Sequence, residues 1–300
     1  MKKYKKSDIF NGIKGRVRFK EPLKRHTTFK IGGAAKFFVQ PKDIADLNQL
    51  LIAAKKHDIP VFIIGSGSNI LVDDKGLDAI VLSLSAPYFK KISYNDQCLE
   101  AGSGLSLNRM IRETQKRGLS GLEFLIGIPG TLGGALAMNA GAWGKNIADI
   151  VENVTVLDYQ GNIKKLDRKN LRFDYRRSSL QRYIILNARL RLRKKKKKEI
   201  QDITEEYLKV RKSRQGHLSL CAGSIFKNPL CGSPAGRLIE QCNLKGKRLG
   251  DAYISPKHAN FILNKKNASS ADVLKLISLI RRRVKHKFKI ELDPEIKIWR

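Results

Sequence analysis

Residues 121–144 restrict the fold more than any other part of the chain, because seven glycines stand there among residues of which only Glu123 is charged. Glycine adopts left-handed or crowded backbone conformations and lets a backbone approach a ligand closely. Four of these glycines surround Pro129, namely Gly127, Gly130, Gly133 and Gly134. The pattern predicts a sharp turn followed by unobstructed backbone N–H groups. A ligand-binding turn and a closely packed Gly/Ala helix both fit this segment.

Thr131 stands at the predicted start of a short helix that runs through Ala135 and Met138. Threonine is a good N-cap residue, and a helix N-terminus with free N–H groups attracts phosphate. The stretch lacks the Lys-Ser/Thr ending of a P-loop. The sequence therefore does not indicate nucleotide hydrolysis.

The composition is that of a globular protein with an unusual charge. The chain has 300 residues, 42% of them hydrophobic, and a net charge of +33. That length suffices for a large core and predicts two domains. Basic residues concentrate at 2–25, 189–198 and 281–289, which makes nucleic-acid binding a rival hypothesis. No aromatic residue alternates with the lysine run and no zinc or recognition-helix motif appears, so a solvated basic surface that attracts anionic substrates is favoured.

Cysteine spacing and apolar runs bear on metal binding and location. Cys98, Cys221, Cys231 and Cys242 are too widely spaced for a CxxC site, and no metal site is predicted. The longest apolar runs are strand-sized, and nothing resembles a signal peptide. We expect a soluble, cytoplasmic protein with free thiols.

The periodicity predicts a mixed α/β chain. A strand at 36–40, a helix from Asp43 to Asp58 and strands on both sides of GSGSN (65–69) form an α/β unit. Further strands are predicted at 79–84, 91–94, 98–101, 151–159, 163–166 and 185–192. Further helices are predicted after a Ser106 cap, at 199–214, at 235–242 and after a Ser270 cap. The chain should end in a strand that Pro294 interrupts.

The GSGSN turn is not a dinucleotide fingerprint. Its third glycine is replaced by Ile70, which leads into a strand rather than a helix. The segment is either a tight turn between strands or a turn that lines a diphosphate. In the second case its N–H groups, the hydroxyls of Ser66 and Ser68 and the Asn69 amide would be the donors.

Three other segments carry candidate chemistry: FDYRRSS (173–179), CAGSIFKNP (221–229) and LDPEIKIW (292–299). In the last, Glu295 follows Pro294 in an apolar context, where a carboxylate needs a partner. Taken singly, these segments also fit a salt-bridged arginine, a helix-capping serine and a surface glutamate.

In this order, the segments resemble the UDP-N-acetylenolpyruvoylglucosamine reductases, flavoenzymes of peptidoglycan precursor synthesis, from about His26 to Glu295. The motifs that carry the resemblance are HTTFKIGG, IIGSGSNILV, GLEFLIGIPGTLGGALAMNAGAWG, FDYRRSS, AGSIFKNP, AGRLIEQCNLKGKRLGDAYISPKHANFILN and LDPEI. Trp143 departs from the usual tyrosine. The short interval between Arg176 and Ser224 resembles the short form of the family.

The resemblance implies an α+β (mixed α/β) fold. A basic segment (1–27) would precede an FAD-binding domain of the vanillyl-alcohol-oxidase or PCMH type (28–195) and a smaller C-terminal α/β domain for the UDP-sugar substrate (200–300). It implies FAD as cofactor, NADPH as hydride-donating co-substrate, and a cytoplasmic monomer that acts on small molecules without nucleic acid or membrane insertion. Another FAD-dependent oxidoreductase of the same fold is the alternative, but it would have no reason to carry AGSIFKNP and Glu295.

The resemblance also implies roles for single residues. Ser224 matches the proton donor to carbon, and Arg176 and Glu295 match the pair that polarises the substrate carboxylate. Lys227 and Asn228 match positions near the substrate diphosphate. The implied FAD contacts are Gly65, Ser66, Gly67, Ser68, Asn69, Gly127, Gly130, Thr131, Gly134, Asn139 and Gly141.

Overall fold

The computed structural model describes residues 9–216, 220–230 and 232–300, so Cys231 and the first basic residues lie outside the described part. The chain divides into two compact units, each built from three segments that are separated in sequence. Unit 1 comprises Met1–Phe19, Phe37–Ser66 and Asp78–Lys209, and unit 2 comprises Lys20–Lys36, Gly67–Leu77 and Val210–Arg300.

Both helices and strands occur along the described chain, and most of the strands are short. The described α-helices are Ile44–Lys56 (α1), Leu107–Lys116 (α2), Leu132–Ala137 (α3), Lys197–Gln215 (α4), Ala235–Gln241 (α5) and Ser270–Phe288 (α6). The strands are Arg16–Pro22 (β1), Ala34–Gln40 (β2), Val61–Ile63 (β3), Ile70–Val72 (β4), Leu77–Leu82 (β5), Ile92–Asn95 (β6), Cys98–Gly102 (β7), Leu119–Ser120 (β8), Gly141–Ala142 (β9), Lys145–Asn146 (β10), Val151–Leu157 (β11), Ile163–Asp167 (β12), Phe173–Asp174 (β13), Arg177–Ser178 (β14), Ile184–Arg191 (β15), Arg193–Lys194 (β16), Arg248–Leu249 (β17), Ala252–Ile254 (β18), Ile262–Asn264 (β19) and Lys297–Trp299 (β20). The predicted mixed α+β fold is confirmed.

Unit 1 contains two main sheets. One has the strand order β1-β2-β5-β3, and the other is antiparallel with the order β12-β11-β15-β7-β6. β3 and β5 run parallel, with Val61 opposite Ile80, and β5 lies between β2 and β3 in the sheet. Apolar side chains of α2, α3, β11 and β15 form one buried cluster, and a second cluster joins α1 to β2 and β5.

Unit 2 has one core built from residues far apart in sequence. Phe29, Ile31 and Leu71 pack with α5, α6 and strands β18 and β19. β20 pairs in parallel with β4, with Ile298 opposite Leu71. The antiparallel order β17-β18-β19 makes the remaining sheet of this unit in the described residues.

Three predicted helix starts are confirmed by their caps. The side chains of Asp43, Ser106 and Thr131 each accept a hydrogen bond from the backbone N–H three residues on. This bond satisfies one of the N–H groups that the first helical turn leaves without a partner. Within the described residues, no helix is long and apolar enough to cross a membrane.

Two predictions about the end of the chain are wrong. Ser269, not Ser270, caps the last helix, and it forms a reciprocal capping box with Asp272. Ser270 instead donates from its Oγ to Asp74 Oδ2 at 2.8 Å. Only Lys297–Trp299 is a strand, because Lys289 ends α6 in a left-handed conformation and Pro294 has no N–H for a ladder.

Candidate active site

The glycine-rich segment forms the turn before α3, but the first N–H groups of that helix are not free. The N–H of Leu132 donates to Leu105 O at 2.9 Å, that of Gly133 to Ser103 O at 2.8 Å and that of Gly134 to Thr131 Oγ1 at 3.3 Å. The prediction of unobstructed N–H groups at this helix N-terminus is therefore wrong. The segment 103–105, which lies outside the motif, supplies the acceptors for Leu132 and Gly133.

What α3 does offer is an open face. A Cβ built on Gly134 would meet only Thr131 Oγ1, at an ordinary 3.6 Å, and Gly134 is exposed. A Cβ on Gly65 would lie 2.6 Å from the same Thr131 Oγ1, so the end of β3 approaches the helix cap closely. Ser103 is 4% exposed, and its Oγ has no hydrogen-bond partner among the described residues.

The 65–69 turn requires glycine at its centre. Gly67 has φ +61°, and a Cβ there would lie 2.1 Å from His26 O, so no other residue fits. Among the described residues, the N–H groups of Ser66, Gly67 and Asn69 donate to no protein acceptor. The turn thus provides N–H donors that the helix N-terminus does not.

In unit 2, Thr28 joins this turn to the segment that carries Ser224. The Thr28 N–H donates to Gly67 O at 3.1 Å, and its Oγ1 donates to Cys221 O at 2.6 Å. On the far side, Asn69 Nδ2 donates to Glu295 O at 3.3 Å. A Cβ on Gly223 would lie 3.7 Å from Ser68 O. The fold of unit 2 therefore gathers three predicted site segments: the 67–69 turn, the serine segment and the glutamate segment.

Ser224 and Glu295 lie on adjacent backbone segments. The Glu295 N–H donates to the carbonyl of Ile225, the residue after Ser224, at 2.8 Å. The buried Asn260 side chain makes two hydrogen bonds to the backbone of Phe226: it accepts from the Phe226 N–H at 3.0 Å and donates to Phe226 O at 2.8 Å. Residues 225 and 226 are thus fixed on both sides, which fixes the position of Ser224.

A cavity of about 560 Å³ opens beside Ser224 and Asn228. Its other polar lining includes Arg237, Lys257 and His258. Burial lowers the pKa of His258, which favours its neutral ring. The Asn260 N–H donates to His258 Nδ1 at 3.3 Å, so the neutral ring carries its proton on Nε2. The lining also includes the carboxylate of Glu240, so two cations face one anion and the net charge of the lining is positive. This charge and the hydrogen-bonding groups suit an anionic, polar ligand.

Sequence reasoning assigned no role to Arg237, Lys257 or His258, although all three stand in the long AGRLIEQCNLKGKRLGDAYISPKHANFILN motif. Single charged residues without periodicity give no local signal, so only the motif could have drawn attention to them. Lys227, by contrast, does not line the cavity; its N–H donates to Asp293 O at 2.9 Å.

Arg176 belongs to unit 1, in the two-residue turn of the β13–β14 hairpin. Its backbone has φ +58°, a left-handed conformation that is uncommon for a non-glycine residue and often marks a functional position. Its Nη1 donates to Gly141 O at 3.1 Å, and Asn139 Nδ2 donates to the carbonyl of Asp174 at 3.0 Å. The end of the glycine-rich segment therefore holds the arginine turn in place.

Several predicted contacts stay predictions. The Asn139 side chain is 6% exposed and bonded on both sides, since its Oδ1 also accepts from the Ala148 N–H. Gly127 follows the 3-10 turn Glu123–Leu125 with φ +73°. Gly130 precedes the Thr131 cap, where a Cβ would lie 3.3 Å from Leu107 Cδ1.

Comparison with known proteins covers almost the entire chain. Residues 35–167 match the FAD binding domain model, and residues 215–299 match the C-terminal domain model of UDP-N-acetylenolpyruvoylglucosamine reductase. The UDP-N-acetylenolpyruvoylglucosamine reductase 2 of Symbiobacterium thermophilum is 42% identical over 95% of this chain and 92% of its own length. The Bacillus pumilus enzyme is 40% identical over 98% and 97%. The crystal structure of the Thermus caldophilus reductase matches with a TM-score of 0.81 at 35% identity, over 96% of this chain and 99% of that one.

Proposed function

Because this chain belongs to the UDP-N-acetylenolpyruvoylglucosamine reductase family, we propose that it reduces the enolpyruvyl ether of UDP-N-acetylglucosamine with NADPH. The product is UDP-N-acetylmuramate, a precursor of peptidoglycan. In the overall reaction one alkene carbon gains hydride, the other gains a proton, and NADPH is oxidised to NADP⁺. FAD, when bound, carries the hydride between the two substrates.

The observation that carries this proposal is the cavity beside Ser224. A serine with backbone fixed by Asn260 stands at the edge of a 560 Å³ space that also presents Arg237 and Lys257. Arginine and lysine bind phosphate groups well. We assign these two side chains and Asn228 to the diphosphate of the UDP-sugar, with Lys227 at its periphery. An oxidase of the same FAD fold would not need such a cationic cavity.

The residues present fit a flavin dinucleotide. Within the described part of the chain, the N–H groups of Ser66, Gly67 and Asn69 have no protein acceptor, and Gly134 leaves the surface of α3 open. The unpartnered Ser103 Oγ lies close to α3, since a Cβ on Gly133 would be 3.0 Å from Ser103 Cβ. We assign the diphosphate of FAD to residues 65–69, where N–H groups and hydroxyls favour negative charge, and the flavin ring to residues 127–141.

Three residues would act on the substrate. As hydride reaches the alkene, negative charge develops on the substrate carboxylate, and the Arg176 guanidinium can bind that group through two N–H bonds. Glu295 would donate a hydrogen bond to the same oxygens if it is protonated. Ser224 Oγ would give its proton to carbon. Fixed donors at developing charge are often the largest catalytic contribution.

We also propose that the enzyme acts as a cytoplasmic monomer on small molecules, since NADPH and UDP-sugars are nucleotides of the cytoplasm. The FAD-binding function is assigned to residues 28–195 and UDP-sugar binding to residues 200–300.

The basic surface then attracts anionic substrates, and added salt should lower kcat/KM more than kcat.

An assay of NADPH oxidation tests the function. With the enolpyruvyl UDP-sugar, each NADPH consumed should yield one UDP-N-acetylmuramate, because reduction of the alkene takes one hydride. UDP-N-acetylglucosamine, which lacks the enolpyruvyl group, is the control and should not stimulate oxidation. Equal NADPH consumption with and without the enolpyruvyl sugar, with oxygen reduced instead, would favour the oxidase alternative.

A substitution on α3 tests the flavin position. Gly134→Leu should give folded but colourless protein, because a bulky side chain would occupy the open face that we assign to FAD. Affinity for FAD should fall at least about tenfold, which needs a steric cost of only about 1.4 kcal/mol. The visible absorbance of purified protein and titration with FAD measure this.

Gly134→Ala is the matched control for that substitution. The protein leaves room for its methyl group, and alanine is favoured over glycine in a helix by about 1 kcal/mol. The thermal stability of the apoprotein should therefore hold or rise. Full flavin occupancy in Gly134→Leu would show that the cofactor binds elsewhere.

A further inference from the structure

The β9–β10 hairpin of unit 1 has an unfavourable residue in its turn. Ala142 pairs with Lys145 and Gly141 with Asn146, which leaves Trp143 and Gly144 as a two-residue turn. Their φ values are +59° and +72°, the geometry of a type I′ turn that asparagine and glycine favour. A bulky aromatic residue in this conformation is rare, and it persists only where its surroundings hold it.

The contact that holds it is an aromatic stack. The Trp143 ring lies on the ring of Tyr207 with centroids 4.7 Å apart and planes 6° from parallel. Tyr207 stands on α4, and both rings also pack against the apolar cluster of unit 1. Two large, partly buried rings in contact restrict each other's orientation. The α4 helix therefore fixes the tip of the hairpin.

The other end of the same hairpin holds Arg176. The Gly141 carbonyl accepts from Arg176 Nη1 at 3.1 Å. A Cβ on Gly141 would lie 2.1 Å from Asn146 Oδ1 and 2.6 Å from Lys145 O, so the partner strand packs directly against the Gly141 backbone. A change in the position of the turn is thus passed to the carbonyl that orients the guanidinium. The contacts form one continuous path within unit 1, from Tyr207 through Trp143 and Gly141 to Arg176.

We infer that Tyr207 is a positioning residue for the reduction of the enolpyruvyl sugar: its ring fixes the Trp143 turn and, through the Gly141 carbonyl, the guanidinium of Arg176. The inference rests on the proposed function, in which Arg176 binds the substrate carboxylate. A small displacement of a binding group from its productive position can cost up to about 10²-fold in rate. In this role Tyr207 acts through Arg176 and not by contact with the substrate.

The test compares Tyr207→Leu, which removes the ring, with Tyr207→Phe, which keeps it. Tyr207→Leu should slow recovery of flavin colour by the enolpyruvyl sugar about 10- to 10²-fold, and should slow bleaching by NADPH much less. Tyr207→Phe should behave as wild type. In a Trp299→Phe background Trp143 is the single tryptophan. Its fluorescence emission in the apoprotein should change when Tyr207 is replaced by leucine and stay the same when Tyr207 is replaced by phenylalanine.

Two further variants separate positioning from general damage. Ile203→Ala removes a partly buried residue from the same helix, one turn before Tyr207, and should leave both half-reactions and the emission unchanged. In an Arg176→Ala background, Tyr207→Leu should add no further loss, because its effect runs through the guanidinium. Colour recovery at the wild-type rate in Tyr207→Leu would overturn the inference. So would a double variant in which Tyr207→Leu slows colour recovery as much in the Arg176→Ala background as it does in the wild type. Absence of sugar-dependent colour recovery in the wild type would instead overturn the proposed function.

Discussion

The Ser224→Ala protein is expected to bind FAD and to be bleached by NADPH at close to the normal rate, yet to regain colour with the enolpyruvyl sugar roughly 10²- to 10⁴-fold more slowly. Flavin reduction by NADPH requires no proton at a carbon atom, whereas completing the reduction of the sugar does. Ser224 Oγ makes no hydrogen bond within the described residues, so its loss should disturb the fold little. Stopped-flow absorbance measures the two half-reactions separately.

Ser233→Ala is the matched control for that experiment. Ser233 is also partly exposed in unit 2 but does not line the cavity, so both half-reactions should keep their wild-type rates. A solvent isotope effect on colour recovery should be present in the wild type if proton transfer limits that step. Colour recovery at the wild-type rate in Ser224→Ala would mean that another group supplies the proton.

The second large effect is expected at Arg176. Arg176→Ala should slow colour recovery by about 10²- to 10³-fold, the usual cost of losing one donor at developing negative charge. Arg176→Lys should restore only part of the rate, since an ammonium group cannot make the paired, planar contact of a guanidinium. The measurement is again the rate of colour recovery, here at several sugar concentrations.

The left-handed backbone of Arg176 supplies a control. Arg176→Gly also removes the guanidinium, but glycine adopts φ +58° without strain, so the glycine variant should be at least as stable as the alanine variant. Equal losses of activity in the two variants would assign the effect to the guanidinium. A loss in alanine that glycine largely avoids would assign it to the backbone and contradict the proposed role.

Local signals predicted the local structure well. The caps at Ser106 and Thr131 need only a side chain and an N–H three residues on, and both are confirmed. The last helix shows the limit of such signals, because two adjacent serines could serve and the choice depends on Asp272 and Asp74. Asp74 is remote in sequence from the helix that it contacts.

Remote contacts explain most of what the sequence could not predict. The parallel pairing of β20 with β4 and the Thr28 contact with Cys221 join segments whose own patterns carry no information about their partners. The acceptor of the Gly133 N–H, the carbonyl of Ser103, could not be predicted for the same reason, since it lies outside the glycine-rich segment. Candidate site residues came from family motifs, since spacing alone favoured structural roles for Arg176, Ser224 and Glu295.

The segmented construction of unit 2 bears on how the protein is made. Its core contains Phe29, Ile31 and Leu71, and the other buried residues of that core begin at Ala222 and continue to Ile296. Synthesis at roughly 5–20 residues per second delays those partners on the order of ten seconds after Leu71 emerges from the ribosome. During that interval the apolar side chains of unit 2 that are made first cannot yet pack against the residues that bury them in the folded protein. The half of the protein that holds Ser224 and Glu295 is therefore the last to form, and the part of the nascent chain most exposed to aggregation and to chaperones.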